Sequence, residues 1–72
     1  MEFIEKAKIR IAHWEKHNLS HMAEYEKFAS ELEAAGKDES AACIREMAVL
    51  YSLGNKSLTR ALQCIETGDD GH

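Results

Sequence analysis

Apolar residues recur every seven positions in two interleaved series along the first half of the chain, Ile4, Ile11, Asn18, Tyr25, Leu32 and Ala7, Trp14, His21, Phe28, Ala35. These are the a and d positions of a helical seam, broken at one level by Asn18 and His21. The second half repeats the arrangement with Ala41, Ala48, Asn55, Leu62 and Ile44, Tyr51, Leu58, Ile65. Proline is absent and both halves are rich in Ala, Glu, Lys and Leu, which favours helix over strand. Between them Gly36 suits a left-handed helix cap, Asp38 is a candidate N-cap, and Glu39 suits the first turn that follows. The pattern predicts an all-α chain of two long antiparallel helices, about 2–35 and 38–66, forming one hairpin domain over 1–72 with a disordered polar tail at 67–72.

The two seams check one another. A hairpin folded about Gly36 and Lys37 pairs residues whose numbers total about 73, setting Leu32 against Ala41, Tyr25 against Ala48 and Ile11 against Leu62. The same register brings together Asn18 and Asn55, the only two asparagines in the chain, with His21 one step away opposite Tyr51 and Ser52. Gly54 interrupts the second helix at a cost of roughly 1 kcal/mol relative to alanine. The heptads survive across it, so the helix is read as continuous, with Gly54 serving a close helix approach.

A further stripe of Val49, Leu50 and Leu53, with Ala42, Cys43 and Cys64 above and below, lies outside the second seam. A chain of 72 residues buries only a limited fraction of its surface, so an exposed apolar stripe of this kind points to a partner. The economical solution is a homodimer through Val49, Leu50 and Leu53, forming a four-helix bundle.

Composition narrows the rest. The net charge of −4 is evenly spread, with no basic cluster to track a phosphate backbone, so nucleic acid is not an expected partner. No stretch has the apolar length of a signal peptide or a membrane span; the expectation is a cytoplasmic protein with no membrane partner. Cys43 and Cys64, if on one helix, lie roughly 30 Å apart at ~1.5 Å per residue, which forbids an intrachain disulfide and fits reduced thiols.

Three of the four histidines stand at i, i+4, i+8: His13, His17 and His21. Imidazoles four residues apart project from one helix face with stems roughly 6 Å apart, close enough to share a divalent ion. His13 and His21 are separated by roughly 12 Å at ~1.5 Å per residue, so His17 and His21 form the central pair, with His13 at the rim and Glu24 the nearest carboxylate. The alternative is a polar layer that fixes register without holding metal. Catalytic constellations are missing. No histidine follows a glutamate by three residues, and the positions where H-E-x-x-H needs a general base hold Trp14 and Asn18, so a non-enzymatic protein is expected.

The stretch H-W-x-x-H-N-x-x-H, here His13, Trp14, His17, Asn18 and His21, followed by Tyr25 and Phe28, resembles a motif of small, largely uncharacterised helical-hairpin proteins of bacteria and archaea. The likeness extends loosely through "NKSLTRAL" in the second half. It implies a soluble hairpin with a role in transition-metal handling and identifies no metal; imidazole donors suit a borderline ion such as nickel, zinc or copper.

Overall fold

A computed structural model describes residues 2–68. Helix α1 runs Glu2–Ala34 and helix α2 runs Asp38–Thr67, antiparallel and packed along their length, so the architecture is the all-α hairpin that the heptads imply. Each helix end lies within one residue of its expected place. Two differences fall at the boundaries. Thr67 closes α2 and Gly68 caps it in the left-handed conformation, φ 75°, with its N–H on the Cys64 carbonyl, 3.0 Å; the expected disordered tail therefore does not begin at 67, and 69–72 lie outside the described residues. Asp38 is the first residue of α2 rather than its cap.

The turn explains that shift. Gly36 takes φ +79°, a conformation open to glycine at little cost. Its N–H reaches the Glu33 carbonyl at 2.9 Å, and the Lys37 N–H reaches the Leu32 carbonyl at 2.8 Å, the paired bonds of a Schellman closure. Lys37 is thereby held at the junction and becomes the N-cap residue of α2, without a side-chain cap. Asp38 and Glu39 fall in the first turn, where their charge complements the helix dipole.

The pairing register is the expected one, with Asn18 and Asn55 hydrogen-bonded across the seam at 2.8 Å. Helix α2 presents both of its heptad series to α1. Helix α1 does not. Its a positions Ile11, Asn18, Tyr25 and Leu32 are half-buried, but Trp14 and Phe28 are 47% and 51% exposed, while Glu15, Met22 and the wholly buried Ala29 turn inward. The helix is rotated about its axis relative to an a/d seam. Burial of two small residues, Ala29 and Ala41, lets the helices close near the turn, where a bulky Phe28 between them would hold them apart.

The hairpin measures 52 × 21 × 12 Å, one helix thick, with a radius of gyration of 16.3 Å against about 11 Å for a compact chain of this length. Among the described residues only Ala29 and Ala41 are fully buried. The accessible surface of 5584 Å² exceeds by about 1,100 Å² the area scaling for a compact 8.1 kDa monomer. Gly54 sits inside continuous helix, and an added Cβ there would meet nothing within 4 Å. No close approach within the hairpin uses it.

Candidate functional site

The i, i+4 spacing on an unbroken helix stacks the histidines into a ladder. Ring centroids lie 5.9 Å apart between His13 and His17, 4.4 Å between His17 and His21, and 5.9 Å between His21 and Tyr25. Tyr51 closes the ladder from α2, 5.9 Å from His21 and 5.5 Å from Tyr25. His13 and His17 are exposed, and His21 is half-buried beside the seam. The row thus winds from solvent at His13 to the polar layer at His21.

His17 and His21 are the closest pair. Two imidazoles on one tetrahedral ion need donor atoms about 3.3 Å apart, given metal–nitrogen bonds of about 2.0–2.1 Å. The two rings lie at 4.4 Å between centroids, tilted by 54°. Glu24 is engaged with the ring itself, its Oε1 2.9 Å from His21 Nδ1. Facing a carboxylate, Nδ1 is the donor, which leaves the Nε2 lone pair of the neutral ring for a ligand. Glu24 therefore fixes the orientation of the His21 ring. Among the described residues, no group of three or more His, Cys, Asp or Glu side chains is arranged to hold one ion. Cys43 and Cys64 are free thiols on α2, away from the ladder.

Behind the ladder the two asparagines tie the helices together. Asn18 Nδ2 donates to Asn55 Oδ1, and Asn55 Nδ2 donates to the Glu15 carbonyl at 3.0 Å. Proximity of the Tyr51 hydroxyl, and then burial, raise the Tyr25 phenol above its ordinary value. No buried side-chain nitrogen or oxygen among the described residues lacks a partner.

The two broad faces of the hairpin differ in chemistry. On one, Arg45 of α2 reaches across to Glu26 at 3.0 Å, Glu33 at 2.6 Å and Ser30, and the Thr59 hydroxyl donates to the Glu15 carboxylate. The guanidinium hydrogen-bonded to Glu33 lowers that carboxyl below its ordinary value. The acidic run around Glu33, readable from sequence as a solvated face, is thus partly a clamp. A lone Arg on the flank of the second seam was the available signal. The other face carries Trp14, His17, His21 and Phe28 from α1 and a groove lined by Asn18, Leu50, Tyr51 and Gly54. Val49, Leu50 and Leu53 are each more than half exposed, with Val49 and Leu53 further round the outer side of α2.

No helix among the described residues is long and apolar enough to cross a membrane. The chain belongs to a family described as a domain of unknown function, DUF8180, whose family model matches residues 7–65, a span that takes in the whole histidine ladder and the seam. No curated protein and no solved structure matches the chain.

Proposed function

We propose that this protein binds a borderline divalent transition metal, nickel, zinc or copper, through the imidazoles of His17 and His21, with His13 at the rim and Glu24 orienting His21. The observation that carries the reading is the pair of rings at 4.4 Å, one of them fixed at Nδ1 by a carboxylate 2.9 Å away. Binding and release of the ion, without catalysis, is the activity proposed. Calorimetric titration of tag-free apo protein with each of the three ions tests it. Heat with at least one ion, abolished by His17→Ala or His21→Ala and only weakened by His13→Ala, is the expected result; no heat with any ion refutes it.

A second reading has its own support in the Asn18–Asn55 bond. In that reading the protein is a non-enzymatic homodimeric interaction module, and the histidines belong to a register-fixing polar layer. It expects His21→Leu to be neutral or stabilising and added metal to leave the melting temperature unchanged.

A further inference from the structure

Resting on the metal reading, we infer that a second copy of this chain packs its histidine face against the first about a two-fold axis passing between His17 and His21 and over Gly54, so that one ion is held by four imidazoles, two from each copy. Among the described residues a single hairpin brings two imidazoles close together and arranges no group of three or more ligands around one ion, whereas a closed zinc-type site takes four. A two-fold axis is the one operation that doubles the donor set with the same surface on both sides.

The position of the pair on the helix supports that axis. The midpoint of His17 and His21 falls at residue 19, beside the middle of α1, Glu2–Ala34. Antiparallel pairing of α1 with its copy therefore overlaps nearly the whole helix. At the level of residue 19 the hairpin register, set by the Asn18–Asn55 bond, places Gly54 on α2. The same axis consequently crosses α2 over its one glycine. Gly54 is exposed, has open space where a Cβ would point, and floors a groove with Asn18, Leu50 and Tyr51. Absence of a side chain at that crossing allows the α2 helices to approach closely, which the hairpin alone does not require.

Exposure and area agree. Trp14, Phe28, Met47 and Leu50 flank the histidine pair and Gly54 with large apolar surface, while the opposite face holds the Arg45 clamp. Of the outer α2 residues Val49, Leu50 and Leu53, only Leu50 falls within this interface. The surface excess of about 1,100 Å² over a compact monomer is of the size a standard interface buries per partner, about 800 Å².

The test combines sedimentation velocity with titration of zinc, nickel and copper salts into wild type and Gly54→Leu. Leu at 54 keeps every imidazole, raises helix propensity and has open space at its Cβ, so circular dichroism should report unchanged helix content. For wild type the expected result is one ion per two chains and a dimer mass. For Gly54→Leu it is a monomer mass and affinity lower by about tenfold or more, since two of four donors leave. One ion per chain on a monomer, unaffected by Gly54→Leu, overturns the two-fold site and leaves the metal reading standing. No binding by either protein overturns both. A dimer sensitive to Gly54→Leu that takes up no ion also overturns the four-imidazole site.

Discussion

Replacing Asn55 by leucine removes two hydrogen bonds at once, the one accepted from Asn18 at 2.8 Å and the one donated to the Glu15 carbonyl at 3.0 Å. The Glu15 carbonyl retains its helical partner, but the part-buried Asn18 amide has none. Each lost bond is worth about 1 kcal/mol, and an orphaned amide about 1–3 kcal/mol, offset by roughly 1 kcal/mol from the half-buried leucine. The single variant is therefore expected to lose about 2–4 kcal/mol. Asn18→Leu with Asn55→Leu leaves no orphan and adds apolar contact, so the double variant should return to within about 1 kcal/mol of wild type or exceed it. Urea denaturation followed by circular dichroism, at one fixed protein concentration because association adds to apparent stability, gives the double-mutant cycle. The double variant should also show more than one set of amide resonances, because the remaining layers are apolar and tolerate a seven-residue slip. If the two single losses simply add in the double variant, and its spectrum stays single, the asparagine pair does not set the register.

Three further outcomes follow from the packing and charge. Ala41→Leu inserts a large side chain where the helices are closest and should cost about 1–3 kcal/mol, read as a lower denaturation midpoint; an unchanged midpoint would show that the turn end is not tightly packed. Arg45 lowers the Glu33 carboxyl from 4.5, so this ion pair stabilises the fold above that pH, and the stabilisation is lost as pH falls through the lowered folded-state value. Glu33→Gln should flatten the acid limb of stability measured by urea midpoints from neutral pH downward, and an unaltered limb refutes the contribution. Under the metal reading, affinity should fall as pH drops below about 6.5, where imidazoles ordinarily take up protons that compete with the ion, and pH-independent titration would exclude imidazole ligation.

Much of the candidate site was legible because it is local. His13, His17 and His21 share a helix, so their spacing alone sets the ladder; the approach of the last two to 4.4 Å depends on side-chain rotamers, since the first pair has the same spacing and lies at 5.9 Å. The role of Glu24 was not legible, since a carboxylate three residues from a histidine serves equally as a ligand or as the group that orients the ring. Its contact at His21 Nδ1 appears only in the folded helix.

The content and pairing of the helices are written along the chain: a heptad period, a glycine at the turn and two asparagines that can meet in only one register. Those signals are local or additive along the chain, and the hairpin reproduces them. The rotation of α1 about its own axis is instead fixed by packing against α2. Seven-residue spacing places Ile11, Asn18, Tyr25 and Leu32 on a stripe but is equally satisfied with Trp14 and Phe28 beside it or with Glu15, Met22 and Ala29. Contacts between residues far apart in the chain make that choice, the Ala29 and Ala41 closure, the reach of Arg45 to Glu26 and Glu33, and the bond from Asn55 to the Glu15 carbonyl. Turning Glu15 and Ala29 inward turns Trp14 and Phe28 outward, beside the histidines, because the residues on either side of one helical stripe cannot both face the same neighbour.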